Sequence, residues 1–150
     1  MLTRDSSKAI GQPHFPSTLW WHRFGYHRDV THVLLATDSD SVFNAVDAAL
    51  GSDTSEISRV RAGVEVLGAV RDQEPDVVIC DLQIGNMGGM ATCLDLRMEA
   101  EMGRAPETRV LMLLDREADV YLAKQARSDG WLVKPLDAVS VQRAVSAVLA

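Results

Sequence analysis

Residues 77–80 read Val-Val-Ile-Cys with no polar position among them, and Asp81 follows directly. A stretch this short and this uniformly apolar has no face to offer to water, so it is a strand covered on both sides. Comparable runs recur as "HVLLAT" at 32–37, "RVLMLLD" at 109–115 and "GWLVKP" at 130–135, with a weaker alternating stretch, "EISRV", at 56–60. Segments with apolar residues at helical spacing lie between and after them. "DSVFNAVDAAL" at 40–50 puts Val42, Ala45, Val46, Ala49 and Leu50 on one helical face. "GVEVLGAVRDQ" at 63–73 continues the pattern until Glu74-Pro75 stops it. "GMATCLDLRMEAE" at 89–101, "EADVYLAKQAR" at 117–127 and "DAVSVQRAVSAVLA" at 137–150 complete the set.

Five strand–helix alternations specify an α/β domain whose parallel sheet carries helices on both faces. Right-handed crossovers leave few ways to wind it. The expected form is the flavodoxin-like doubly wound sheet of order 2-1-3-4-5 with five helices. Its switch point lies between the first and third strands, and ligands belong in the crevice beyond their carboxyl ends.

The 150 residues suit one domain, with 47% hydrophobic and 24% charged residues, as in an ordinary globule. A formal charge of −6 argues against nucleic-acid binding, which needs clustered Lys and Arg. No apolar run approaches the roughly 20 residues of a membrane span, and there is no apolar secretory signal core, so a cytoplasmic location is expected. Cys80 and Cys93 have no CxxC or Cys/His cluster around them and read as small core residues.

Residues 1–30 are set apart. They lack a sustained period, and four basic and two acidic residues leave them at +2, so the rest of the chain carries −8. Their cluster "LWWHRFGYHR" holds two of the three Trp. Two readings stand: a poorly ordered leader or a start assigned too far upstream, and a docking segment that buries its aromatics on a partner, an acidic surface or a membrane interface. The domain proper is 31–150.

Asp38 follows the first strand and Asp81 ends the third, so this winding sets two carboxylates at one crevice. The fifth strand ends in Val133-Lys134-Pro135 and brings an ammonium to the same edge. Close carboxylates repel unless a proton or cation lies between them, and oxygen ligands without His or Cys select magnesium. Taken singly, each residue has a plainer explanation: Asp38 or Asp40 caps the first helix, Asp81 opens a turn, and Lys134 is solvated. Against that, Lys124 and Lys134 are the only lysines past residue 30, in a chain that otherwise uses Arg. A compact ammonium suits a phosphoryl oxygen.

The segments "VLLATDSD", "PDVVICDLQIGNMGG", "VLMLLDR" and "WLVKPLD" resemble, in order and spacing, those of response-regulator receiver domains of two-component signalling. The likeness covers roughly residues 32–150. It implies a bacterial signalling protein that takes a phosphoryl group from a sensor histidine kinase or phosphotransfer protein. Asp81 matches the phosphoacceptor, Asp38 a direct magnesium ligand, and Gln83 the residue that offers its backbone carbonyl to the metal. Lys134 matches the phosphoryl-stabilising lysine, with Pro135 the cis-proline candidate and Trp131 the aromatic switch position.

The chain also departs from the family. Thr37 replaces the first acid of the usual pair, and Asp40 is a weak candidate to compensate. Leu114 stands where a Ser or Thr would bond the phosphoryl group and couple it to the fourth helix. Asp115 adds a negative charge beside it, which Arg116 is placed to offset, and Gly85 replaces a proline. The leading expectation is a stand-alone receiver, phosphorylated on Asp81, that is no enzyme beyond self-catalysed phosphorylation and dephosphorylation. It would signal to a separate output protein through the fourth helix, fifth strand and fifth helix, since little chain remains for an output domain. The alternative is a pseudo-receiver, a phosphorylation-independent interaction module. A haloacid-dehalogenase-type hydrolase would want an acid at Gln83, and a flavodoxin's phosphate would be repelled by Asp38 and Asp40.

Overall fold

The computed structural model describes residues 30–150. The expected leader lies outside the described residues, apart from Val30. Five parallel strands form one sheet: β1 (Thr31–Ala36), β2 (Ser55–Val60), β3 (Val77–Asp81), β4 (Arg109–Leu114) and β5 (Gly130–Val133), in the order β2-β1-β3-β4-β5. Five α-helices cover it: α1 (Asp40–Leu50), α2 (Val66–Gln73), α3 (Gly89–Glu101), α4 (Val120–Gln125) and α5 (Ala138–Leu149). The doubly wound arrangement is the one expected from the alternation.

Strand periodicity sorts the core into two layers. Leu34, Val78, Cys80, Val110, Met112 and Leu114 face one side, where α2, α3 and α4 supply Val70, Cys93, Leu96 and Ala123. Val33, Leu35, Val77, Ile79, Leu111 and Leu113 face the other, against Val42 and Val46 of α1 and Val141, Val145 and Val148 of α5. All five residues of β3 are buried, because β3 is the central strand and both layers meet over it. Each fully buried Val, Leu or Ile contributes about 1.5–3 kcal/mol, so the middle of the sheet is its most stable part.

The N-terminal ends of α1, α2 and α4 differ from the sequence reading, while the end of α2 at Glu74-Pro75 is as expected. The α1 cap is Ser39, whose hydroxyl accepts from the Val42 N–H at 3.2 Å, and neither Asp38 nor Asp40 serves. The second and fourth helical segments each open with a 3₁₀ turn, Gly63–Glu65 and Glu117–Asp119, so α2 and α4 are shorter than their apolar patterns. Glu74, in the left-handed conformation at φ 45°, closes α2 before Pro75.

Both cysteines are free and buried. Burial pushes the Cys93 thiol up to about 11, and the Cys80 thiol rises further for the same reason. They fill space, as expected, and no thiolate is available at neutral pH.

Gly89 fixes how closely α3 approaches the β3 tip. A Cβ there would lie 2.7 Å from both the Asp81 carbonyl oxygen and the Leu82 Cα. Both obstacles are backbone and cannot swing away. Gly89→Ala is therefore expected to destabilise the domain by about 1–3 kcal/mol, read as a lowered urea midpoint. An unchanged midpoint would show that the α3 N-terminus is free to move off the strand.

Candidate functional site

Strand register assembles the site. Ala36 pairs with Cys80, so the next rung sets Thr37 beside Asp81. Leu114 pairs with Val133, so the next rung there sets Asp115 beside Lys134. Four polar residues, separated by as many as 97 positions in sequence, thus stand along one edge of the sheet.

Asp81 is only 2% exposed, and its carboxylate is met by three donors. The Thr37 hydroxyl donates to Oδ2 at 2.8 Å. The Lys134 ammonium donates to Oδ1 at 3.0 Å, and the Gln83 N–H donates to the same oxygen at 3.2 Å. An ionised carboxylate buried without partners costs several kcal/mol, while a hydrogen bond to a charged group contributes about 1.5–3 kcal/mol. These three contacts are what allow a carboxylate at the end of an apolar strand.

Lys134 serves two acids, since its Nζ also lies 2.8 Å from Asp115 Oδ1. Burial alone would lower its pKa, but hydrogen bonds and charge from Asp115 and Asp81 outweigh that and hold it above the ordinary lysine value of 10.5. The Lys134–Pro135 peptide bond is cis. Arg116 feels the charge of Asp115, but its direct ion pair is made elsewhere. It turns to Asp119, a carboxylate 3% exposed as a residue, at 2.8 Å.

Asp38 is exposed, and its Oδ2 accepts the Gly85 N–H at 3.0 Å. A proline at position 85 has no N–H to give, so the Gly85 departure ties the loop after β3 to the acid after β1. Asp40 does not join this group. It pairs with Arg59 at 2.9 Å and Arg61 at 3.3 Å, which draw its carboxyl below the usual range. Leu114 is fully buried beneath the edge with Ala123 of α4 in the same core layer. Trp131 stands apart on the face of α4 and β5, 38% exposed, with Lys124 Nζ 5.6 Å from its ring centre.

Sequence reasoning placed Asp81, Asp38 and Lys134 at one edge, and the structure brings them there. It missed the donor role of Thr37, the sharing of Lys134 with Asp115 and the part of Arg59. Arg59 donates from Nε to the Thr37 carbonyl at 3.1 Å while its guanidinium packs 5.0 Å from the Phe43 ring centre. The only available signal was position, because Thr37 directly precedes Asp38 at the end of an apolar run.

The donor set is compatible with magnesium. Among the described residues no group of three or more His, Cys, Asp or Glu is placed to hold a metal. Magnesium keeps several waters and needs only one or two carboxylates, which Asp38 and Asp81 can supply, with the Gln83 carbonyl in the same loop.

Residues 33–146 match the response regulator receiver domain. The chain belongs to that family. It is 30% identical over 121 residues, 79% of its length, to the transcriptional regulatory protein CseB of Streptomyces avermitilis. It is 24% identical over 121 residues to Protein PilH of Pseudomonas aeruginosa, spanning 81% of this chain and 99% of that one. Among solved structures, the chemotaxis response regulator CheY4 of Vibrio cholerae superposes with a TM-score of 0.71 at 26% identity, over 80% of this chain and 99% of that one. The chain spans about half the length of the first curated relatives it matches, the CseB proteins, and nearly all of PilH. Among the described residues, no helix is long and apolar enough to cross a membrane.

The raised Lys134 pKa has a testable consequence. A folded pKa above the unfolded value gives stabilisation that is complete below the unfolded pKa and lost as pH rises through the folded one. Lys134→Met is expected to lower unfolding free energy by about 1–3 kcal/mol at neutral pH. Its deficit relative to the parent chain should shrink once pH passes 10.5. A deficit constant through that range in urea titrations would deny the pair its role.

Proposed function

We propose that this receiver accepts a phosphoryl group on Asp81 from a phosphohistidine of a sensor kinase or phosphotransfer protein, and signals by binding a separate output protein. The observation that carries the reading is the buried Asp81 carboxylate, held at a strand tip with the Lys134 ammonium 3.0 Å away. Residues 31–150 form the receiver unit in this reading, and the bacterial cytoplasm is its setting, in keeping with the bacterial relatives.

In the transfer, a carboxylate oxygen of Asp81 attacks phosphorus, forming an O–P bond. The P–N bond to the histidine breaks, and its electron pair returns to the imidazole nitrogen. The product is an acyl phosphate. Such loose transition states require positioning and countercharge rather than a strong base. Thr37 and the Gln83 N–H orient the carboxylate, while Lys134 supplies positive charge to the phosphoryl oxygens. Asp38, Asp81 and the Gln83 carbonyl would hold Mg2+, which when bound neutralises charge on the incoming group. The exposed Tyr121, Trp131 and Val139 on α4, β5 and α5 are offered to the output partner.

Two features oppose an efficient switch. Asp115 competes with a phosphoryl group for Lys134, and Leu114 brings no hydroxyl to report the group's arrival to α4. Leu114 is the observation that favours the second reading, an interaction module that works without phosphorylation.

Incubation with Mg2+ and acetyl phosphate, followed by intact-mass measurement, decides between them. The parent chain is expected to gain the mass of one phosphoryl group and Asp81→Asn none. Asp115→Asn should raise the phosphorylated fraction several-fold by releasing Lys134. No gain by the parent chain removes the phosphoacceptor reading, and a gain by Asp81→Asn removes the site assignment.

A further inference from the structure

Every polar group of Thr37 is committed. Its N–H donates to the Val60 carbonyl at 3.1 Å, and its carbonyl accepts from Arg59 Nε at 3.1 Å. Its hydroxyl oxygen accepts the Ser39 N–H at 3.1 Å, which turns the hydroxyl proton toward Asp81 Oδ2 at 2.8 Å. The residue is fully buried, and Arg59 is itself held by Asp40 and packed on Phe43. The proton is therefore aimed before any ligand arrives.

We infer that Thr37 is a positioning residue that supplies from within the chain what a cation would otherwise supply to Asp81, so that the acceptor stands in place without magnesium. Two nearby carboxylates need a proton or a cation between them. At this edge a neutral hydroxyl proton faces one side of Asp81 and the Lys134 ammonium the other. Asp38 meanwhile takes the Gly85 N–H. With no acid at position 37, the metal side carries one negative charge less, which weakens its hold on a divalent ion. The third acid of the edge is Asp115, and it faces Lys134.

This role presupposes the reading of Asp38 and Asp81 as the metal-binding pair, and its test does not involve phosphoryl transfer. Mg2+ is titrated calorimetrically into the full chain and into Thr37→Asp, Thr37→Ser and Thr37→Val, and each is melted in chelator and in excess Mg2+. The parent chain and Thr37→Ser should bind weakly and melt at nearly the same temperature in both solutions. Thr37→Asp should bind Mg2+ about 10–100-fold more tightly and melt higher with the ion than without it. Thr37→Val, which keeps the shape and loses the proton, should melt lower in chelator and recover part of the loss in Mg2+.

Parent-chain binding as tight as that of Thr37→Asp overturns the inference and leaves the metal pair standing. Equal Mg2+ responses of Thr37→Val and Thr37→Ser also overturn it. Should Thr37→Val fail to fold, the comparison of the parent chain with Thr37→Asp still decides. No binding by any variant, Thr37→Asp included, removes the metal pair and the inference together.

Discussion

A carboxylate buried to 2% exposure cannot exist without donors, and the supply of those donors organises this domain. Asp81 draws one from the β1 side, one from its own turn and one from the end of β5. The strands that carry these donors do not depend on the site for their place. They are held by a parallel sheet whose central strand is buried on both faces, so the apolar core determines where the polar edge lies. Lys134 must reach over the end of β4 to touch β3, because β4 separates those strands in the sheet. Whatever stands at the end of β4 therefore meets the lysine, and here that residue is Asp115.

Relative to the family pattern, the chain has lost an acid at Thr37 and gained one at Asp115, so the edge keeps its number of carboxylates while their placement changes. Negative charge moves from the side of Asp38 to the side of Lys134. The buried Thr37 hydroxyl and the shared ammonium then form a continuous line, Thr37–Asp81–Lys134–Asp115, with contacts of 2.8, 3.0 and 2.8 Å. A line of donors and acceptors in which each member satisfies the next resists rearrangement more than isolated pairs do. Gly85 adds a cross-tie by donating to Asp38.

The architecture was legible because its signals are local. The uniform run Val77–Cys80 reads as a doubly covered strand because it is short and bounded by turn signals, and the spacing of Val42, Val46, Ala49 and Leu50 presents one buried helix face. Helix ends were less legible: Ser39 rather than either neighbouring acid caps α1, because capping depends on which side chain turns back toward the Val42 N–H. The 3₁₀ turns that shorten α2 and α4 likewise follow from packing rather than from apolar spacing. Arg116 shows the same limit, since its proximity to Asp115 in the chain lost to a better-placed carboxylate at Asp119.

By itself the sequence determined the strand–helix alternation, the helices on both faces of a parallel sheet and the strand ends that carry Asp38, Asp81 and Lys134, since periodicity and crossover handedness leave few windings. The order β2-β1-β3-β4-β5 is the expected one among them. Only the tertiary structure decided which atoms bond across the polar edge. Thr37 and Asp81 are 44 residues apart, Gly85 and Asp38 are 47, and Lys134 and Asp81 are 53. Hydrogen bonds form within a few tenths of an ångström or not at all, and no one-dimensional pattern carries that precision.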